Sequence, residues 1–102
     1  RVPTPNVSVV DLKVVPGRDT SVEEVNAALQ AAADGPMKGV LVTTTDPVVS
    51  SDMNHIAASS TVALPQTQVI EGKLVRVMSW YDNEWGFATR LSDTALAMAK
   101  FL

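Results

Sequence analysis

Cysteine is missing from all 102 residues, so the chain carries no disulfide framework, no thiolate zinc site and no cysteine nucleophile. Histidine occurs once, at His55, with no second histidine or cysteine to complete a metal shell, and no metal site is expected. None of Ser50, Ser51, Ser59 or Ser60 sits in an activating context beside that histidine, so His55 reads as structural or surface-exposed and the serines as loop and strand-edge residues. The five glycines are scattered at Gly17, Gly35, Gly39, Gly72 and Gly86, which excludes a glycine-rich phosphate loop. Basic residues are few, 8 against 11 acidic ones for a net charge of −3, and they form no block. Neither nucleic acid nor a membrane surface is therefore an expected partner. No apolar run approaches the ~18 residues of a membrane span, and Arg1-Val2-Pro3-Thr4-Pro5 lacks the apolar centre of a signal peptide.

What is present suits a single folded domain. Hydrophobic residues make up 46% and charged residues 19%, a balance that argues against disorder. A chain of this length with all its layers in place buries roughly two-thirds of its unfolded surface.

The order of patterns predicts an α+β fold with a largely antiparallel or mixed sheet, one helix covering a face and a second helix at the C-terminus. Val7 to Val15 is β-branched and roughly alternating, which predicts a strand, with a possible bulge at the doubled Val9-Val10. Pro3 and Pro5 hold its approach extended, and Pro16-Gly17 ends it. Ser21-Val22-Glu23-Glu24 has capping-box spacing and opens a helix whose stripe is Val22, Val25, Leu29 and Ala32, with Gly35-Pro36 as a left-handed stop. Lys38 to Thr45 predicts a strand, and the consecutive Val40, Leu41 and Val42 predict cover on both faces, as in a central strand. Val48 to Asp52 and Ser59 to Leu64 are two further strand candidates. Gln68-Val69-Ile70 and Lys73 to Tyr81 flank Glu71-Gly72 as a hairpin. From residue 84 to 102, Trp85, Ala88, Leu91, Ala95, Met98, Ala99 and Leu102 recur at helical spacing, with Asp82 or Asn83 as the cap. Nothing in the chain supplies a partner for that alanine-rich stripe, and the first residues read as the run-in to a strand. The expectation is a piece of a larger domain.

Two segments offer ligand chemistry. Ser79-Trp80-Tyr81-Asp82-Asn83-Glu84-Trp85-Gly86-Phe87 places aromatic, amide and carboxylate groups at a strand-to-helix junction with unpaired backbone N–H groups. Capping by Asp82 and Asn83 with the aromatics in the core is the alternative reading. Arg1 offers a guanidinium fork suited to phosphate or carboxylate, against the alternative of a solvated surface arginine.

These two stretches, Arg1 to Leu12 and Ser79 to Phe87, closely resemble signature segments of the phosphorylating glyceraldehyde-3-phosphate dehydrogenase family. Glu24-Val25-Asn26, Gly35 to Leu41 and Val48 to Asp52 fall between them in the family's order, so the likeness extends over essentially all of residues 1–102. It corresponds to the C-terminal part of that family's catalytic domain, about a third of the subunit.

The resemblance implies an enzyme that oxidises a phosphorylated aldehyde with NAD or NADP and inorganic phosphate to an acyl phosphate. It implies that Arg1 binds substrate phosphate or the attacking phosphate, and that Asn83 holds the nicotinamide carboxamide. Phe87 stands where many members carry a tyrosine beside the nicotinamide, so ring packing is retained without the hydroxyl. The catalytic cysteine, the histidine base and the dinucleotide-binding domain precede the matched arginine in the family, so this chain alone is expected to be inactive, with no catalytic residue of its own. Residues 84–102 are expected to dock on that absent domain. A cytoplasmic homotetramer working in glycolysis or gluconeogenesis is also implied. Met53-Asn54-His55 and Pro65 to Val69 resemble both glycolytic enzymes and the erythrose-4-phosphate dehydrogenase branch, whereas Ser79-Trp80-Tyr81 is closer to the glycolytic version. Glyceraldehyde 3-phosphate is the preferred substrate, erythrose 4-phosphate the alternative. A free-standing non-catalytic assembly module is the reading from a different class.

Overall fold

The β-branched stretches pair into one mixed sheet of five strands: β1 (Ser8–Val14), β2 (Leu41–Thr44), β3 (Ser60–Ala63), β4 (Gln68–Ile70) and β5 (Leu74–Tyr81). Helix α1 (Val22–Asp34) lies between β1 and β2, and α2 (Trp85–Ala99) closes the chain. The computed structural model describes residues 2–102.

Strand order is β1-β5-β3-β2, with β4 folding back on β5. The long strand β5 is the hub, antiparallel to β1, β3 and β4, while β2 and β3 run parallel. Register between β1 and β5 is unbroken from Ser8 opposite Tyr81 to Val14 opposite Val75, so the doubled valines make no bulge. A hairpin joins β4 to β5 as predicted, but Ile70 pairs with Leu74, so the connection is three residues, Glu71 to Lys73, and the second arm begins at Leu74 instead of Lys73. Glu71 and Gly72 both take positive φ, 50° and 69°, and the Lys73 N–H donates to the Ile70 carbonyl at 2.9 Å to close the turn.

Helix α1 opens at Ser21, whose hydroxyl accepts the Glu24 N–H. The reciprocal half of the box is diverted, because the Glu24 carboxylate is held in a bidentate pair by Arg18 and by the Thr20 hydroxyl. Gly35 ends the helix at φ −111°, outside the left-handed region expected for it. Its lack of a side chain serves clearance instead, since a Cβ there would lie 2.9 Å from the Ala31 carbonyl oxygen.

Two strand expectations are corrected. β2 is an edge strand: Leu41 turns inward, but Val40 and Val42 are exposed, because three consecutive apolar residues must alternate sides and only one side meets α1. Val48 to Asp52, a strand candidate, runs instead into a 3-10 turn, Ser50–Met53, held at its start by the Asp52 carboxylate accepting the Val49 N–H.

The core is thin. Ala33 of α1, Leu41 and Val62 form its centre, with Leu29, Ala32, Leu64 and Val77 packed around them. An accessible surface of 7015 Å² compares with about 5600 Å² for a folded monomer of this mass, so roughly 55% of the unfolded surface is buried instead of two-thirds. Val9, Val10, Leu12 and Val14 on β1 and Leu91, Leu96 and Met98 on α2 all face solvent. An apolar gap of about 600 Å³ also remains between α1 and the sheet, lined by Val14, Val25, Leu29, Val75 and Val77 among others.

Candidate functional site

A cleft of about 550 Å³ opens at the end of the sheet where β1 begins and β5 stops. One wall is the chain segment from Val2 to Val9; the other is Trp80, Asn83 and Glu84, with Ser50 at the rim. The antiparallel register explains the meeting: Ser8 pairs with Tyr81, so the residues before Ser8 and after Tyr81 leave the sheet side by side.

Asn83 occupies the second wall with its amide oriented by the first. The Ser8 hydroxyl donates to Asn83 Oδ1 at 3.1 Å, and Asn83 Nδ2 has no protein acceptor among the described residues. Asn83 and Trp80 both line the cleft, so the amide brings N–H donors to it. A planar carboxamide whose carbonyl accepts an N–H fits such a pair of groups.

The capping role falls to Asp82, not Asn83. Asp82 Oδ1 accepts the N–H groups of Glu84 and Trp85, at 3.2 and 2.9 Å, at the start of α2. Asp82 Oδ2 accepts the His55 N–H at 2.8 Å and the Asn6 amide at 3.3 Å. The residue is 2% exposed. These donors, the Trp85 and His55 N–H groups foremost, hold its carboxyl below the usual carboxylate range against the opposing effect of burial.

Both segments that reach Asp82 are bent through non-glycine residues at positive φ, and the β-branched Val7 is the more strained of the two. Val7 has φ 73° and His55 φ 61°. Such conformations cost of order 1–3 kcal/mol each and persist only where the surroundings over-determine them. Here the surroundings are explicit. Asn6, next to Val7, donates to Asn54 Oδ1 as well as to Asp82, and the His55 ring stacks on Trp85 with centroids 4.4 Å apart. His55 thus has a structural place, its N–H on Asp82 and its ring against Trp85.

Helix α2 is tied down near its start. A Cβ on Gly86 would sit 3.1 Å from the Ala58 carbonyl oxygen, so the helix approaches the Ala58–Ser59 backbone closely. One turn on, Arg90 donates to the Gly39 carbonyl at 3.0 Å and pairs with Asp93.

Of the residues singled out from the sequence, Asn83 lines the cleft. Phe87 does not: it lies on the first turn of α2, 70% exposed. Arg1 lies outside the described residues. Sequence reasoning passed over Ser8 and Asn6, which stood inside a quoted motif without a role, and the strain at Val7, for which a β-branched residue gives no signal. Among the described residues no group of three or more His, Asp or Glu side chains is placed to hold a metal. No helix of the described chain is long and apolar enough to cross a membrane.

Comparison with known proteins adds a family. The family model described as glyceraldehyde 3-phosphate dehydrogenase, C-terminal domain, matches residues 1–83. The glyceraldehyde-3-phosphate dehydrogenase of Cereibacter sphaeroides is 64% identical over 102 residues, which is all of this chain and 31% of the relative. That of Xanthobacter flavus is 63% identical over 100 residues, 98% of the chain and 30% of the relative. That of Zymomonas mobilis is 58% identical over 103 aligned residues, 100% of the chain and 31% of the relative. The chain spans about a third of the length of the curated relatives it matches.

Proposed function

The chain belongs to the glyceraldehyde-3-phosphate dehydrogenase C-terminal domain family, and from that membership we propose that it forms the C-terminal part of the catalytic domain of a phosphorylating aldehyde dehydrogenase. The reaction is oxidation of glyceraldehyde 3-phosphate, with NAD or NADP and inorganic phosphate, to an acyl phosphate. Bound dinucleotide supplies the hydride acceptor. The observation that carries the reading is the placement of Asn83 in one cleft with the segment from Val2 to Val9, its oxygen engaged by Ser8 and its Nδ2 without an acceptor among the described residues.

In this reading Asn83 donates to the nicotinamide carboxamide and so selects which face of the ring meets the aldehyde carbon. Arg1 contributes a guanidinium fork to the substrate phosphate or the attacking phosphate. Phe87, exposed beside the cleft's helix, packs against the nicotinamide side of the assembled site. Residues 84–102 dock on a dinucleotide-binding domain, which covers the apolar row of α2, and the assembled enzyme is a cytoplasmic homotetramer. This chain holds no cysteine, so it cannot form the thioester that phosphate must cleave, and alone it is inactive.

The test is to graft this chain in place of the matching C-terminal third of the Cereibacter sphaeroides relative. The graft is expected to reduce NAD or NADP with glyceraldehyde 3-phosphate and phosphate, and faster than with erythrose 4-phosphate. Arg1→Ala should raise the KM for aldehyde phosphate and phosphate, and Asn83→Ala the KM for dinucleotide. A graft that assembles but turns over neither aldehyde would leave the assembly-module reading in its place.

A further inference from the structure

Asp82 is the most buried charged side chain among the described residues, and it does more than a helix cap requires. A cap needs one oxygen, and Oδ1 provides it for Glu84 and Trp85. Oδ2 faces the other way, taking the His55 N–H and the Asn6 amide. Three segments far apart in sequence thus converge on one carboxylate: the Asn6 wall of the cleft, the Asn54–His55 turn and the first turn of α2. Two of them pass through strained residues, Val7 and His55, that would relax if released.

We infer that Asp82 is a positioning residue for Asn83, its carboxylate clamping both walls of the cleft so that the adjacent amide stands at a fixed place and angle. The inference rests on the proposed role of Asn83 toward the nicotinamide and adds the group that enforces it. The clamp acts through two routes. Oδ1 fixes the backbone on the C-terminal side of Asn83, and Oδ2 fixes Asn6, two residues from the Ser8 that engages the Asn83 oxygen. Release of Oδ2 frees the Asn6 wall and the His55 turn, loosening the chain that leads into Ser8, while leaving the helix capped.

Asp82→Asn makes that separation. Its carbonyl oxygen can still cap α2, but the amide NH2 that replaces Oδ2 cannot accept the His55 N–H. In the active graft, hydride transfer is followed with a deuterated aldehyde, and the face of the nicotinamide carrying the label is read by NMR. Asp82→Asn is expected to place a measurable share of label on the opposite face, to lower kcat by tens-fold up to about 10²-fold, and to raise the KM for dinucleotide while that for phosphate stays near the parent's. A folded, assembled Asp82→Asn enzyme with parental facial selectivity and dinucleotide KM overturns the inference. Where Asp82→Asn does not assemble, Asn6→Ala, which removes one donor and leaves the carboxylate, is expected to shift selectivity in the same direction, and parental selectivity there overturns it equally. Asn83→Ala separates the layers. If it leaves selectivity and dinucleotide KM unchanged, the reading of the cleft fails and the inference with it. If it relaxes selectivity while Asp82→Asn does not, the clamp alone is wrong.

Discussion

The Ser8 hydroxyl meets the Asn83 side-chain oxygen at 3.1 Å, across 75 positions of sequence, because Ser8 closes the β1–β5 register opposite Tyr81, two residues before Asn83. That contact turns a flexible amide into an oriented one. It also ties the amide's orientation to the sheet, the most firmly paired part of the chain.

Ser8→Ala is therefore expected to release the Asn83 amide without unfolding the strand. A single hydrogen bond of this kind contributes about 0.5–1.5 kcal/mol, so the KM for dinucleotide in the active graft should rise roughly 2–10-fold with little change in that for phosphate. Equal changes in both constants would show that Ser8 supports the cleft as a whole.

Gly86→Ala should push α2 away from the sheet. Alanine gains about 1 kcal/mol of helix propensity over glycine, but its Cβ would lie 3.1 Å from the Ala58 carbonyl oxygen, a backbone atom of a buried residue. Overpacking of this kind costs typically 1–3 kcal/mol, and the net expectation is a loss of about 1 kcal/mol, read as a lower urea midpoint at unchanged slope. A raised midpoint would mean that the Ala58–Ser59 backbone yields freely.

Acid should remove the Asp11 contribution to the β1–β5 pairing. Arg76 grips Asp11 with two hydrogen bonds and Lys13 joins at 2.6 Å, and these partners lower the Asp11 carboxyl from 3.8 to about 2. The folded value lies below the unfolded one, so the contribution is fully present above about pH 4 and disappears as pH falls through about 2. The urea midpoint should drop across that window, and Asp11→Asn should flatten the part of the drop that belongs to this group. A parallel profile for Asp11→Asn would assign the drop to other carboxylates.

The chain on its own should be loosely packed or self-associating. Its core is a few small and medium side chains, and its surface is about a quarter larger than that of a folded monomer of its mass. Exposed apolar strand faces and the open β1 and β2 edges invite pairing. A monomer in sedimentation with sharp near-ultraviolet dichroism and a cooperative melt would contradict this.

Local grammar carried most of the fold into the sequence. Ser21 starts a helix because its hydroxyl has a backbone partner three residues on, and Glu71-Gly72 turns because glycine accepts positive φ; both depend only on near neighbours. The misses depend on what lies across space. Val40-Leu41-Val42 looks central until the strand order places it at an edge, and Gly35 looks like a left-handed stop until the Ala31 carbonyl is seen to demand clearance. In the site, Asn83 was legible through its motif, but the carboxylate beside it looked like an ordinary cap. Its second pair of donors comes from residues 6 and 55, and no spacing in the sequence announces that meeting.

Helix α2 is a rod about 22 Å long whose attachments through Trp85, Gly86 and Arg90 lie within its first two turns. Leu96 and Met98, near its other end, are exposed. A rod hinged at one end multiplies angle into distance: a 5° swing about Asp82 carries the far tip about 2 Å. The same leverage runs in reverse, so whatever grips the tip sets the angle at which Asn83 enters the cleft.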